Sequence, residues 1–155
     1  MKVHTYEKAF LLTGGAMLVA FLGALLYASV AMGIHLPGHV ARIDPEKVLE
    51  TPPFNQPGLR QTGPGRYEAT VVATAFAFLP GELRVPAGSR VTFTVTSRDV
   101  LHGFAIEGTR MNMMLIPGQV SRNEYTFERP GEYLIVCHEY CGAGHHTMHG
   151  KVIVE

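Results

Sequence analysis

The chain has no surplus of either charge: 13 lysines and arginines stand against 13 aspartates and glutamates. A nucleic-acid or polyanion partner, which draws on an excess of basic residues, is therefore not indicated. Internal repeats are absent, and so is any acidic or basic tail. Only two cysteines are present, Cys137 and Cys141, which leaves no material for a framework of several disulfides. Charge is missing altogether from Ala9 to Ile34, and no helical period competes with strand alternation from Arg66 onward. What remains is 155 residues at 46% apolar content, enough for one modest domain with a real core and an appendage.

Both cysteines fall in the stretch Cys137-His138-Glu139-Tyr140-Cys141-Gly142-Ala143-Gly144-His145-His146-Thr147-Met148. The spacing C-x3-C-x3-H-x2-M supplies two thiolates, an imidazole and a thioether. Such soft to intermediate donors suit copper far better than magnesium or calcium. A second imidazole upstream would complete a two-copper centre, and His102 is the best candidate.

The uncharged run from Ala9 to Ile34 is 26 residues long and rich in Leu, Ala, Val, Met and Phe. Roughly 20 helical residues cross a bilayer core, so the run is expected to be a transmembrane helix. A cleaved signal peptide is the competing reading, since Lys2 and Lys8 form a basic start and Ala28-Ser29-Val30-Ala31 offers small residues. The run is much longer than the usual signal core of about 7 to 15 residues, which favours a retained anchor. Lys2 and Lys8 place the N-terminus in the cytoplasm, although His35, His39 and Arg42 beyond the span weaken the contrast.

Past the anchor, Asp44 to Glu50 suits a short helix or capped turn with Asp44 as N-cap and Pro45 in first position. Thr51 to Gly65 holds four prolines and three glycines and reads as a linker or irregular surface loop. From Arg66 the pattern is all β. In Ser89 to Ser97, Val91, Phe93 and Val95 alternate with polar residues and share one strand face, leaving the other wet or half-wet. Tyr67 to Phe78, Val120 to Phe127, Glu132 to Val136 and Lys151 to Val154 are similar, separated by Leu79-Pro80-Gly81, Val85-Pro86-Ala87-Gly88, Ile116-Pro117-Gly118 and Arg129-Pro130-Gly131. Short strands with such punctuation predict a β-sandwich or Greek-key barrel. The expected organisation is an anchor over 1–40, a linker over 41–65 and a β-domain over 66–155.

The copper reading has two competitors. A structural disulfide is the default for two cysteines outside the cytoplasm, but it explains neither His145 nor Met148, and so short a loop constrains the unfolded chain only slightly. A mononuclear blue-copper site needs one cysteine, two histidines and a weak axial methionine, which leaves the other cysteine without a role. Two coppers bridged by both sulfurs share one unpaired electron, so a change of oxidation state alters each bond only a little.

With these residues in view, the sequence resembles subunit II of haem-copper cytochrome c oxidases, closest to the short, single-anchor subunit II of the ba3 or B-type enzymes. The likeness runs through the anchor, Phe76-Ala77-Phe78, Ser97 to Phe104, Leu115-Ile116-Pro117-Gly118, Tyr125-Thr126-Phe127, Arg129-Pro130-Gly131-Glu132-Tyr133 and the cysteine loop. It implies an all-β, cupredoxin-like Greek-key barrel behind one N-terminal transmembrane helix, holding a dinuclear CuA centre. By the resemblance, Cys137 and Cys141 bridge the coppers. His102 and Met148 complete one metal, and His145 with the backbone carbonyl of Glu139 completes the other. Many oxidases use the carboxylate at the Glu139 position for a magnesium ion at the junction with subunit I, whereas B-type relatives have a neutral amide there, so magnesium at Glu139 stays open.

The implied function is electron entry: CuA takes electrons from cytochrome c and passes them to a haem of subunit I, where oxygen is reduced to water. No residue of this chain is catalytic, and haems and CuB belong to subunit I. Expected partners are subunit I, further small subunits, cytochrome c and membrane lipid, with the copper domain on the outer, periplasmic side of the cell membrane. A related nitric oxide reductase subunit and an anchored copper-binding or delivery protein are the alternatives. His138, His146 and His149 read as solvent-facing or hydrogen-bonding side chains. Met111, Met113 and Met114 read as packing residues, Arg98 and Asp99 as shaping the turn before His102, and Phe76, Phe78 and Phe104 as core or as cover for the metal loop.

Overall fold

The computed structural model describes residues 4–31 and 38–155. Met32 to Ile34, the end of the expected span, and His35 lie outside the described residues. The chain divides into two compact units, 1–36 and 37–155.

The first unit contains one helix, α1 (Thr5–Ala31), in which no residue is buried. Its uncharged part from Ala9 to Ala31 extends about 34 Å at 1.5 Å per residue, more than the roughly 30 Å of hydrocarbon in a bilayer. It is the one helix among the described residues long and apolar enough to cross a membrane.

The second unit is built from eleven strands: β1 (Gly38–Arg42), β2 (Gly58–Gly63), β3 (Arg66–Thr74), β4 (Ala77–Leu79), β5 (Glu82–Val85), β6 (Ser89–Ser97), β7 (His102–Ile106), β8 (Asn112–Leu115), β9 (Gln119–Phe127), β10 (Gly131–Val136) and β11 (His149–Val154). They form two sheets, one ordered β1-β9-β6-β3-β2 with β4 paired to β3, the other β5-β11-β10-β7-β8. The parallel pairs β3–β6 and β5–β11 come from crossovers between the sheets, as in a Greek-key barrel. The expected all-β barrel behind one N-terminal helix is what the chain forms.

Alternation places the core. Val91, Phe93 and Val95 of β6, with Ala69, Val71 and Ala73 of β3, meet Phe104 and Ile106 of β7, Ile135 of β10 and Val152 and Val154 of β11. Phe104 sits at its centre, with ring centroids 5.5 Å from Phe78 and 5.7 Å from Phe93. Fully burying one such side chain contributes about 1.5–3 kcal/mol.

One expectation needs correction. The segment 41–65 is not a linker. β1 extends the first sheet by pairing with β9, and β2 pairs with β3 from Gly58↔Thr70 to Gly63↔Arg66. Between them lies a 3₁₀ turn (Pro45–Glu50) whose N-cap, Asp44, accepts from the Glu46 amide as expected. The turn and the loop after it carry Val48 and Phe54, which pack with Val72, Val120 and Ile43 in a second small core. The outer face of β6, expected to be wet or half-wet, is half-wet: Arg90 is exposed and Thr92 partly so, while Thr94 and Thr96 are buried. Thr96 stands between Val72 and Val120 in register and is buried, its hydroxyl donating to the Gln119 carbonyl. Prolines and glycines shape the 51–65 segment without detaching it from the sheet.

Candidate metal centre

Three strand ends meet at one edge of the second sheet. β10 runs antiparallel to both β7 and β11, so the end of β10, the start of β7 and the start of β11 coincide. Cys137 follows β10, His102 opens β7, and Met148 directly precedes β11. The Cys137 amide donates to the Met148 carbonyl at 3.3 Å and closes the base of the loop. Within it, a 3₁₀ turn (His145–Thr147) forms as the amides of His145, Thr147 and Met148 donate to the carbonyls of Gly142, Gly144 and His145.

This folding brings together all six positions expected to act as ligands. Cys137 Sγ lies 3.8 Å from His102 Nδ1, 3.8 Å from Cys141 Sγ and 3.3 Å from the Glu139 carbonyl oxygen. Cys141 Sγ lies 3.6 Å from His145 Nδ1 and 3.7 Å from Met148 Sδ. The donors form a chain with the two sulfurs in the middle. Both thiols are free, and their separation is nearly twice a disulfide bond length of about 2.05 Å. His102, Cys137, Cys141 and Met148 are buried, so these donors are shielded from water, while His145 and Glu139 are half-buried. Among the described residues, the His/Cys/Asp/Glu group tight enough to hold a metal is His102, Cys137 and Cys141.

His102 is oriented from behind. Its Nε2–H donates to Asp99 Oδ1 at 2.9 Å, which turns the Nδ1 lone pair toward Cys137. A histidine ligand backed by a carboxylate in this way is fixed in tautomer and made more basic. Asp99 also accepts from the Val100 amide, the Ala75 amide and the Thr74 hydroxyl. Burial alone would raise its pKa, but the hydrogen bonds from His102, Ala75, Val100 and Thr74 outweigh it and hold the carboxyl at about 2. Asp99 thus shapes the turn, as expected, and positions the imidazole, which the sequence reading missed. Without metal, burial and the neighbouring Cys137 push the Cys141 thiol up to about 11. A cation able to compete for that proton is needed to make it a thiolate at neutral pH.

The surroundings divide the aromatic and methionine candidates. Phe78, Phe104, Met111 and Met113 are core residues, while Met114 is 46% exposed. Phe76 is 38% exposed and covers the loop: a Cβ at Gly144 would come 2.4 Å from its ring, and one at Gly142 2.9 Å. Glycine is required at both positions to fit beneath the ring, and Gly142 also has φ +127°. Tyr140, 76% exposed, holds its ring 5.8 Å from that of His145. Val100, two residues before His102, is exposed as well. His146 and His149 are exposed, with His149 Nδ1 donating to the Thr147 carbonyl. His138 is exposed as well, but its ring lies against Gly103.

Comparison with known proteins agrees with this geometry. Residues 68–155 match the family described as cytochrome c oxidase subunit II, periplasmic domain. The chain is 42% identical to a cytochrome c oxidase subunit 2 of Thermus thermophilus over 157 aligned positions, covering 99% of this chain and 94% of the relative. It superimposes with a TM-score of 0.80 on a chain of a haem-copper terminal oxidase dimer solved by cryo-EM, at 38% identity and covering 97% and 99% of the two chains. The periplasmic domain of cytochrome oxidase subunit II of Bradyrhizobium japonicum shares the fold, with a TM-score of 0.53 at 19% identity, over 57% of this chain and 83% of that one. The donor-lined barrel edge and the matched lengths lead to one assignment: this chain belongs to the cytochrome c oxidase subunit II family, as a subunit of a haem-copper terminal oxidase.

Proposed function

We propose that the six positions at the barrel edge hold a dinuclear copper centre, CuA, through which electrons enter the oxidase. The carrying observation is the chain of donors, His102–Cys137–Cys141–His145 with Met148 and the Glu139 carbonyl, at separations of 3.3–3.8 Å. The donor set fits copper: sulfur and imidazole are its preferred ligands, and the two adjacent thiols of Cys137 and Cys141 would hold a pair of metals between them. When bound, the pair supplies a one-electron carrier.

The chain's own residues do the rest. Cys137 and Cys141, between strand ends, hold both sulfurs in a frame that changes little when charge changes. Asp99 orients His102. Met148, buried against Cys141, supplies a weak thioether that tunes the potential. Phe76 limits water access over the loop, and the exposed side chains of Phe76, Val100 and Tyr140 offer a surface on which an external cytochrome c docks. An electron leaving this site would pass to subunit I, whose haem would supply the chemistry of oxygen reduction. The helix α1, with Lys2 and Lys8 near its start, sets the N-terminus in the cytoplasm and the barrel on the outer side. The copper domain then begins at β1 rather than at Arg66. A nitric oxide reductase subunit or a copper-delivery protein is less favoured, because the similar full-length chains are oxidase subunits.

The test is metal analysis and EPR of the purified chain loaded with copper. Two coppers per chain are expected, with hyperfine structure from two equivalent nuclei. One copper with a blue, single-nucleus spectrum would overturn the dinuclear reading.

A further inference from the structure

The β7–β10 ladder has two registered pairs, Ile135↔Ile106 and Val136↔Ala105, and ends before the donors. The next residue of β10's path, Cys137, turns inward, and the one after it, His138, turns outward. On β7 the same alternation sends His102 and Phe104 inward and Gly103 outward. Gly103 is nevertheless buried. What covers it is the His138 ring: a Cβ built on Gly103 would lie 2.7 Å from His138 Cγ and Cδ2 and 2.8 Å from Cε1. Real side chains do not approach so closely, so the imidazole rests directly on the glycine backbone.

We infer that His138 is a positioning residue of the metal centre, its ring locking the start of the cysteine loop onto the His102 strand where the backbone ladder has run out. The two contacting residues, Gly103 and His138, are the immediate neighbours of His102 and Cys137. Holding the outer pair in van der Waals contact fixes the inner pair, whose Nδ1 and Sγ stand 3.8 Å apart. A ring laid on a cross-strand glycine restores the packing that the missing side chain forgoes. The contact needs a flat ring on one strand and glycine on the other. It does not need a charge, because imidazole is flat in both protonation states. It also explains why an exposed histidine beside a ligand need not be one. The inference rests on His102 and Cys137 being ligands, but the contact itself exists without metal.

The test uses the full-length chain in detergent, with His138→Ala, His138→Phe, Gly103→Ala and the double variant Gly103→Ala/His138→Ala. In the metal-free wild type, NMR should show ring protons of His138 near the Gly103 α-protons. Cys137 should be alkylated severalfold faster in His138→Ala, and at the wild-type rate in His138→Phe. In the copper-loaded chain, His138→Ala should shift the charge-transfer bands and hyperfine splitting, and His138→Phe should restore them. Gly103→Ala should perturb both readouts, and removing the ring in the double variant should relieve much of that effect. His138→Phe as perturbing as His138→Ala, or Gly103→Ala equally damaging with and without the ring, would overturn the inference. A wild type that binds one copper while the metal-free alkylation pattern holds would sink the dinuclear reading alone.

Discussion

Replacing Asp99 by alanine removes the group that orients His102 and ties down its turn. The carboxylate accepts from Val100 N and His102 Nε2 on one oxygen and from Ala75 N and Thr74 Oγ1 on the other, at 2.7–2.9 Å. Its pKa of about 2, against 3.8 for a free aspartate, would correspond to about 2 kcal/mol if fully expressed. The group is partly solvated, so screening reduces the pH-linked part to about 1 kcal/mol. The folded pKa lies below the unfolded one, so this stabilisation is complete above about pH 4 and is lost as pH falls toward 2. Alanine also strands the buried Nε2–H of His102, a penalty of about 1–3 kcal/mol, and loss of a carboxylate backing a ligand typically weakens metal binding about 10- to 100-fold. Chelator competition should therefore show copper held at least tenfold more weakly in Asp99→Ala, with Asp99→Asn between it and wild type because an amide oxygen still accepts. Denaturation of the metal-free chain should show the gap between wild type and Asp99→Ala narrowing from pH 5 to pH 2. Unchanged copper affinity in both variants, or a stability gap independent of pH, would refute the reasoning.

Other expectations are narrower. Cys137→Ser should abolish the two-metal centre, whereas Met148→Leu should keep two coppers with an altered potential and spectrum, since the thioether is a weak donor; equal, complete copper loss in both would contradict that order. A chain starting at residue 37 should be soluble and bind copper, whereas one starting at residue 66 should not fold stably, because it lacks β1, β2, Val48 and Phe54; Phe54→Ala alone should cost about 3–5 kcal/mol in denaturant titrations. Electron transfer from cytochrome c should depend only modestly on ionic strength, as residues 66–155 carry eight basic and nine acidic side chains. A steep fall of the bimolecular rate with salt would point to a local charged patch instead.

Most of the proposed ligands were legible because their chemistry is dense in sequence: both cysteines, His145 and Met148 fall within twelve residues, whereas His102, 35 residues before Cys137, was chosen only as the imidazole that would complete a two-copper set. Long strands such as β6 and β9 were legible by alternation. β5 and β8, four residues each, are too short for a period to show. The run Tyr67 to Phe78 reads as one strand, yet it splits into β3 and β4 at a turn between Thr74 and Ala77 without glycine or proline. Asp99, twenty-four residues downstream, holds that turn through Ala75 N and Thr74 Oγ1, and no local signal announces it. The linker expectation failed for a related reason. Loop composition reports backbone permissiveness, but Phe54 and Val48 stay on the sheet because Val72 and Val120 need cover.

Asp99 also connects two parts of the site that the sequence keeps apart. One oxygen holds the proposed ligand His102, and the other holds Ala75, the residue before Phe76, whose ring lies over Gly142 and Gly144 of the cysteine loop. The exposed cover of the loop and the imidazole facing the sulfur are thus fastened to the same carboxylate. A single carboxylate that fixes both requires neither to adjust when an electron passes, and rigidity of this kind keeps reorganisation small. The lead substitution consequently has a second signature. If Asp99 is a common anchor, Asp99→Ala should loosen Phe76 as well as His102, seen as faster alkylation of Cys141, the neighbour of the covered Gly142, in the metal-free chain. Protection of Cys141 equal to wild type would show that Phe76 is held by its packing on the glycines alone, and that cover and ligand are independent.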